Sequence, residues 1–272
     1  MMERSNKASE TLNLQQDRTS VANFPGPQGI VTGASRGIGL EFARQLLSQE
    51  KVQRVFAVSR RVQTAELLAL QQTWGDRLIL LPGDMTEEAE VAQIAAQVQT
   101  YTPHLHWVVN TIGVLQEPGL SPEKSLRQIE TAGLLRSFAV NSIPTVLLAK
   151  HFLPLLRHPD RSVFAVLSAK VGSIGDNRLG GWYGYRASKA ALNMFVKTIA
   201  LEYQRRSPQT IVLALHPGTT DTQLSKPFQA NVPAEQLFSV ERTVRQLITV
   251  IDGTTSEQSG SFFAWDGSIL PW

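Results

Sequence analysis

The hydrophobic positions of this chain alternate between two periodicities from Gly29 onward. Short runs of aliphatic and β-branched residues are separated by longer windows in which apolar residues recur every three or four positions. This alternation is typical of an α/β fold in which parallel strands are joined by crossover helices. Seven strands are predicted, near Gly29–Thr32, Val52–Ser59, Leu78–Leu81, Leu105–Asn110, Ser162–Ser168, Thr210–His216 and Ser261–Trp265.

The windows between these runs show the apolar spacing of helices that pack on a sheet. Ile38, Phe42 and Leu46 form such a stripe after the first strand, and the ranges 91–98 and 192–200 repeat the spacing. No internal repeat or low-complexity tract interrupts the pattern. The chain therefore predicts a doubly wound, seven-stranded and mostly parallel sheet with helices on both faces.

The N-terminal residues differ from the rest of the chain. Residues 1–26 are polar and contain no apolar run, so we expect a flexible arm, with neither a signal peptide nor a membrane span. Residues 27–272 are predicted to form a single domain of a cytoplasmic protein. Pro25 and Pro27 precede the first strand and cannot donate to a central ladder, so that strand must be short.

Composition excludes several functional classes. The 272 residues are 42% hydrophobic, enough to bury a large core, and the absence of cysteine rules out disulfides, thiolate metal sites and a thiol nucleophile. The histidines show no H-E-x-x-H spacing, so no metal site is expected. The formal net charge is only +3, and no basic run is present, which argues against a nucleic-acid partner.

A glycine-rich turn follows the first strand. Residues 32–39 read T-G-A-S-R-G-I-G and lead directly into the first amphipathic helix. In a doubly wound sheet this position places a dinucleotide pyrophosphate at a helix N-terminus, and glycines allow the backbone to approach the phosphates. The spacing differs from G-x-G-x-x-G, and a tight strand-to-helix connection without a ligand is the alternative interpretation.

The end of the second strand indicates which dinucleotide would bind. An acidic residue at this place would bond the ribose 2′-hydroxyl of NAD, but the sequence here reads Ser59-Arg60-Arg61. Guanidinium groups can instead hold a 2′-phosphate, and Arg36 in the glycine turn adds a further charge. NADP(H) is therefore the predicted cofactor, unless these arginines are only solvated surface charges.

Tyr185 and Lys189 begin a strongly helical window and lie four residues apart, on one face of the predicted helix. Together with the other motifs they give the chain its family resemblance. It resembles the classical short-chain dehydrogenases/reductases, most closely the branch of C-factor-like proteins and Sniffer-type carbonyl reductases, from about residue 29 to 265. The matching motifs are the glycine turn, Asp84-Met85, the Asn110–Gly113 segment, Asn141, Tyr185 with Lys189, and the His216–Thr219 segment.

This resemblance implies a Rossmann-type fold and a set of cofactor-binding residues. Asp84 would hold the adenine amino group, although an aspartate after a strand can equally cap the next helix. The segment 217–222 would cover the nicotinamide. The expected cofactor site comprises Gly33, Ser35, Arg36, Gly37, Ile38, Gly39, Ser59, Arg60, Asp84, Met85, Asn110, Gly113, Tyr185, Lys189, Pro217, Gly218, Thr219 and Thr222.

Hydride transfer to a carbonyl requires a proton donor for the oxygen, and Tyr185 is the candidate acid. We expect the Lys189 ammonium one turn away to favour the tyrosinate by Coulomb attraction and to have donors for the nicotinamide ribose. A packed aromatic ring is the alternative interpretation for Tyr185. Asn141 lies among apolar helix residues, so it needs either a buried partner or a functional role.

The chain departs from the family pattern at the catalytic serine. That serine normally lies three residues before the glycine that corresponds to Gly172, and here the position is Ala169. Ser168 is adjacent but would point to the opposite face of its strand, and Ser173 lies in the following loop. Either serine is a candidate substitute, and we favour Ser173.

The predicted function is interconversion of a carbonyl compound and its alcohol. Apolar residues in the range 219–238 suggest a lid over a lipophilic substrate, or alternatively a helix that only covers the core. By analogy with relatives we expect a homodimer or homotetramer. The rival hypothesis, which Ala169 allows, is a weakly catalytic or non-catalytic NADPH-binding signalling protein of the C-factor type.

Overall fold

The computed structural model describes residues 26–272. The predicted arm lies outside the described residues except for Gly26. The main sheet has seven strands in the order β3-β2-β1-β4-β5-β6-β9, and every neighbouring pair is parallel. The doubly wound prediction is confirmed. The strands are β1 Gln28–Thr32, β2 Arg54–Ser59, β3 Leu78–Pro82, β4 Trp107–Asn110, β5 Ser162–Leu167, β6 Thr210–His216, β7 Thr219–Thr220, β8 Leu237–Phe238 and β9 Ser261–Ala264.

Helices cover both faces of this sheet. They are α1 Gly37–Ser48, α2 Ala65–Trp74, α3 Glu88–Tyr101, α4 Thr131–Asn141, α5 Ile143–Leu156, α6 Tyr183–Arg206 and α7 Val240–Gly253. One core layer lies between the sheet and helices α3, α5 and α6, and the other between the sheet and helices α1, α2 and α7. The central strands β1, β2, β4 and β5 are buried throughout because side chains on both pleat faces meet a helix layer, whereas β3 at the edge of the sheet is only partly buried.

Two strands begin later than predicted. Val52 and Leu105 are apolar and fully buried, and their apolar character placed them in the predicted strands. Their backbone N–H groups, however, bond the carbonyls of Gln49 and Leu155, outside the sheet ladder. Burial alone therefore extended the predicted strands by two residues, and backbone pairing sets the true start.

The predicted lid region, residues 219–238, closes on itself. Strands β7 and β8 pair in parallel as a separate two-stranded sheet, and the Asp221 N–H adds a bond to the Phe238 carbonyl. Between them the chain forms two short 3-10 helices, Lys226–Asn231 and Ala234–Gln236. The alternative of a regular covering helix is therefore wrong.

One segment has the length and apolar character of a membrane span. It runs through α4 and α5, Thr131–Leu156. Core helices have the same properties, and Leu148 and Phe152 of this segment are fully buried in the core layer beside the sheet. The helix is interrupted at Ser142, where α4 ends and α5 begins.

Candidate active site

The predicted site residues gather at the carboxyl edge of the central strands. The glycine turn follows β1, Asn110 ends β4, Ala169 lies just beyond β5, and Pro217 follows β6. Ligands of doubly wound sheets bind in the crevice at this edge, where the connections leave in opposite directions.

Close backbone packing explains two of the glycines in the turn. A Cβ at Gly39 would lie 2.4 Å from the Gly33 carbonyl oxygen and 2.5 Å from Thr111 Oγ1. A Cβ at Gly33, whose φ is +76°, would lie 2.7 Å from the same hydroxyl. The Thr111 hydroxyl donates to the Thr32 carbonyl at 2.6 Å and so joins β4 to the turn. Side chains at these glycines would push the turn away from the sheet.

The residues present fit a dinucleotide pyrophosphate. Arg36 is the N-cap of α1, its side chain makes no capping hydrogen bond, and the first helical turn contains no acidic residue. The first-turn N–H groups of the helix therefore face the crevice without a side-chain acceptor. Gly37 has a φ of +54°, and a Cβ there would lie 3.5 Å from Thr222 Cγ2, so the predicted lid segment borders the turn.

Arg60 and Asp84 face each other beside the glycine turn. Their side chains form an exposed ion pair at 3.8 Å, and one Asp84 oxygen also accepts from the Thr86 N–H at 3.0 Å and hydroxyl at 2.8 Å. Burial, which would raise the pKa of Asp84, is outweighed by these bonds and by Arg60, so the pKa is lowered. Asp84 therefore closes a local turn at Thr86 and does not cap α3, whose N-cap residue is Glu87, so the capping interpretation is wrong; its second oxygen faces Arg60.

Ser59 and Arg36, two further polar side chains beside the glycine turn, differ in whether they are free to bind a ligand. The Ser59 hydroxyl is buried and donates to the Arg61 carbonyl at 2.7 Å. Arg36 is exposed, and within residues 26–272 its side chain takes part in no hydrogen bond or ion pair. Arg36 is thus a charge that a ligand phosphate can reach.

Asn110 links β4 to the glycine turn. Its Oδ1 accepts from the Thr32 hydroxyl at 2.9 Å and from the Ile112 N–H at 3.1 Å, and its amide donates to Thr145 at 3.4 Å. The side chain is buried, so these bonds hold the strand end against β1 and α5. Its contribution to the crevice is to shape the segment that leads to Gly113.

Asn141 has the buried hydrogen-bond partners that were expected from its apolar neighbours in the helix. Its Oδ1 accepts from the Val114 N–H at 2.7 Å, and its amide donates to the Val114 carbonyl and the Ser188 hydroxyl, both at 3.0 Å. Asn141 therefore joins the segment after β4 to helix α6, which carries Tyr185 and Lys189. A Cβ at Gly113 would lie 3.5 Å from both Asn141 Oδ1 and Lys189 Nζ.

Tyr185 and Lys189 are both buried in the first two turns of α6. The Lys189 Nζ lies 5.9 Å from the centre of the Tyr185 ring and donates to the Leu167 carbonyl at 2.9 Å. Burial raises the pKa of Tyr185, and burial lowers the pKa of Lys189 to about 8. We expected Lys189 to lower the tyrosine pKa. In this structure desolvation dominates instead, because the ammonium is directed to Leu167 and is itself desolvated.

The two candidate serines occupy different places. Ser168 is buried and donates to Asn193 Oδ1 at 2.6 Å, about two turns of α6 after Tyr185, so its hydroxyl faces that helix. The Ser173 hydroxyl accepts from the Asp176 N–H at 3.1 Å and keeps its own proton for another acceptor. The position of Ala169 has no hydroxyl.

Met85 and Gly218, two of the predicted cofactor-binding residues, have positions that packing explains. Met85 is buried in a core layer, so its contribution to a ligand would come from the backbone. Gly218 has a φ of +72°, and a Cβ there would lie 2.7 Å from the Phe238 ring and 3.0 Å from Trp265, which explains the glycine by packing.

Three residues near Tyr185 and Gly113 were missed or only partly recognised from the sequence. Trp182 meets Tyr185 edge-on at 6.2 Å between ring centroids and Phe228 of the lid at 5.4 Å. Leu224 of the lid lies 3.9 Å from the Cβ position of Gly113. The aromatic residue directly before the helix was a signal for Trp182. No spacing pattern could indicate Glu123, whose contacts are described below.

One group of metal-type side chains lies elsewhere in the described part of the chain. His106, His158 and Asp160 offer ligand atoms within 4.8 Å of one another, before strands β4 and β5 and therefore at the opposite edge of the sheet from Tyr185. His106 Nδ1 already accepts from the Gln28 N–H at 3.3 Å. The group is separate from the crevice.

Known proteins resemble this chain in sequence and in structure. The family model of short chain dehydrogenases matches residues 29–233. C-signal of Myxococcus xanthus is 34% identical over 148 residues, which cover 54% of this chain and 84% of C-signal. An NADPH-bound carbonyl reductase from chicken fatty liver superposes with a TM-score of 0.80 at 26% identity, covering 91% of this chain and 94% of that one. Carbonyl reductase Sniffer of D. melanogaster shares the fold, with a TM-score of 0.80 at 24% identity and coverage of 91% and 100%.

Proposed function

The chain belongs to the short-chain dehydrogenase/reductase family, and on this premise we propose that it interconverts a carbonyl compound and its alcohol with NADP(H). The observation that carries the proposal is the arrangement around Gly113. Asn141, Lys189 and the lid residue Leu224 all converge there, one helical turn from the buried hydroxyl-bearing Tyr185. An acid, a cation and an apolar cover thus meet at the edge of the sheet where nucleotides bind.

Tyr185 is proposed as the general acid in the direction of reduction. When bound, the nicotinamide supplies the hydride. Negative charge then grows on the substrate oxygen, and the Tyr185 hydroxyl delivers the proton. Burial raises the pKa of Tyr185, so the ring holds this proton at neutral pH. The protonated form is the one that reduction requires.

Lys189 and Asn141 would support this step in different ways. Lys189 uses one of its three N–H donors on the Leu167 carbonyl and keeps two for the nicotinamide ribose. Its position in the first turns of α6 puts that charge beside the tyrosine. Asn141 fixes the distance between the Val114 backbone and α6, so it sets the width of the crevice in which substrate and cofactor meet.

The preference for NADP(H) rests on the charges beside the glycine turn. Arg36 and Arg60 are exposed, and Arg60 is 3.8 Å from Asp84 at the end where the adenosine would lie. No residue of the Ser59-Arg60-Arg61 strand end is acidic, and the Asp84 carboxylate beside it is paired with Arg60, so guanidinium groups outnumber carboxylates where a 2′-phosphate would bind.

The proposed substrate is lipophilic. Phe228 and Leu224 of the lid face Trp182 and Gly113, so apolar groups border the space next to Tyr185. Such walls favour a substrate whose carbonyl carries hydrocarbon or aromatic groups. Exclusion of water by the same residues would strengthen the hydrogen bond from Tyr185 to the substrate oxygen.

The test is NADPH oxidation with a panel of lipophilic aldehydes and ketones. Tyr185→Phe should bind NADPH as the unmodified protein does and lose about 10²- to 10⁴-fold in turnover, because it lacks the general acid. Tyr183→Phe is the matched control, since Tyr183 begins the same helix but is 37% exposed. Equal turnover in the two variants would overturn the tyrosine mechanism.

A second candidate function is NADPH-dependent signalling with little or no turnover. The observation that favours it is Ala169, which lacks the hydroxyl expected at that position, together with the likeness to C-signal. Tight NADPH binding by a protein that oxidises NADPH with no member of the carbonyl panel would support this function over the first.

Self-association and location complete the proposal. Leu135 of α4 and Met194 and Leu201 of α6 expose more than half of their surface, which favours a homodimer or homotetramer through these helices. Light scattering on the purified protein measures this directly. The proposed location is the cytoplasm.

A further inference from the structure

The catalytic helix α6 begins without a cap of its own. Trp182 is the N-cap residue, its side chain makes no capping bond, and the first helical turn contains no acidic residue. Trp182 also has a φ of 52°, in the left-handed region that non-glycine residues rarely adopt. Gly184 and Tyr185 are buried, so water cannot satisfy the open N–H groups of this turn.

Glu123 supplies the missing acceptors from a distant loop. Its Oε2 accepts from the Gly184 N–H at 3.1 Å, and its backbone carbonyl accepts from the Trp182 N–H at 2.5 Å. Glu123 is only 5% exposed and lies 61 residues before Gly184 in the chain. A carboxylate at this place is also favoured by the positive end of the helix dipole.

The contacts around Gly184 leave little freedom for the helix start. A Cβ at Gly184 would lie 2.9 Å from Glu123 Oε1, 3.1 Å from the Ser137 hydroxyl and 3.4 Å from Leu134. The beginning of α6 is therefore wedged between Glu123 and helix α4. The Glu123 carboxylate therefore accepts a hydrogen bond from Gly184, which directly precedes the proposed acid Tyr185.

We propose that Glu123 is a positioning residue that holds Tyr185 and Trp182 in register with the substrate. This inference rests on the proposed function. Tyr185 directly follows the glycine that Glu123 bonds, and Trp182 is fixed by the Glu123 carbonyl. Because the Trp182 ring contacts both Tyr185 and Phe228, movement at Glu123 displaces the acid and the substrate wall together.

The kinetic test compares two variants at Glu123 with a control. Glu123→Ala removes the carboxylate that accepts from the Gly184 N–H and keeps the backbone carbonyl that accepts from Trp182. We expect kcat to fall by about 10- to 100-fold while the dissociation constant of NADPH stays unchanged. Glu123→Gln keeps an oxygen acceptor of the same length and should recover most of the loss. The control is Glu130→Ala, since Glu130 precedes α4, is exposed and makes no capping bond.

Hydrogen exchange separates this inference from the proposed function. In Glu123→Ala, amides at residues 184–187 should exchange faster while those in the second half of α6 keep their protection, whether or not a substrate is known. Unchanged exchange there, or a kcat loss that Gln does not repair, would overturn the inference. If Glu123→Ala does not fold, Glu123→Asp, with a carboxylate one methylene shorter, takes its place in both comparisons.

Discussion

The two halves of the crevice are built in different ways. On the cofactor side, one continuous segment, residues 32–39, supplies the turn, the glycines and Arg36. On the proposed substrate side, the neighbours of Tyr185 at the start of α6 contact Glu123, Asn141 and Phe228, which come from three separate segments. A pyrophosphate requires backbone N–H groups in one local conformation, whereas a substrate wall requires only that side chains meet in space. Local sequence therefore specifies the first half far more completely than the second.

The largest expected effect lies on the cofactor side. Replacing Arg36 and Arg60 together by alanine should weaken NADPH binding by at least about 100-fold, because each charge-assisted bond is worth roughly 1.5 to 3 kcal/mol. NADH binding should hardly change. Titration of both nucleotides measures the ratio, with Arg245→Ala, an exposed arginine on α7, as the control. Equal affinity of the unmodified protein for NADH and NADPH would contradict the assignment.

The second-largest effect is expected on turnover, from the serine that would replace the hydroxyl missing at Ala169. If Ser173 donates to the developing oxyanion, Ser173→Ala should lower kcat by about 10²- to 10³-fold. Ser168→Ala should leave kcat nearly unchanged but reduce stability, because Ser168 bonds Asn193 in the core. Steady-state kinetics on one good substrate, with thermal unfolding of each variant, tests both statements.

Ala169→Ser sharpens the same comparison. A strong rise in turnover in this variant, with no loss in either serine-to-alanine variant, would mean that the oxyanion donor is missing from this protein. The substrate half would then be incomplete beside an intact cofactor half. In that case NADPH-dependent signalling becomes the better-supported function.

The smallest expected effect is a pH dependence of stability. Burial lowers the pKa of Lys189 to about 8, below its ordinary value near 10.4 in an unfolded chain. Between these values the unfolded chain binds more protons than the folded one, so the free energy of unfolding should rise with pH from about 8 to 10. Above that range the raised pKa of Tyr185 and Tyr203 reverses the slope, because the unfolded chain loses these protons first.

Chemical denaturation across this pH range measures the slope. In Lys189→Met the rise should disappear, whereas in Lys197→Met, a matched lysine on the exposed face of α6, it should persist. A slope that survives in Lys189→Met would show that another group causes it.

The fold was predictable because its signals are periodic. Apolar runs and helical stripes gave all seven strands of the sheet, and family membership is confirmed by the match over residues 29–233. The errors lie at strand starts such as Val52 and Leu105, where burial continues after backbone pairing stops. Periodicity reports burial and only indirectly reports hydrogen bonding.

The structure brings together those residues of the candidate site that are neighbours in sequence. The glycine turn and the Tyr185-Lys189 pair could be found from spacing, and the need for a buried partner at Asn141 followed from its apolar surroundings. The capping of α6 by Glu123 could not, since it joins segments with no shared local pattern. The sign of the pKa shift of Tyr185 was also missed, because desolvation depends on the packed environment.

The pairing of β7 with β8 at the base of the predicted lid has a consequence for how related proteins can differ in this segment. Residues 221–236 leave and re-enter the molecule through two paired strand ends, with the Asp221 N–H bonded to the Phe238 carbonyl. The pairing of β7 with β8 therefore fixes the distance between the two ends of this loop, whichever residues lie between them. On the proposed function, we expect exchange of residues 223–236 between relatives to change the substrate that is accepted, whereas Thr222, which borders Gly37, has to stay with the glycine turn.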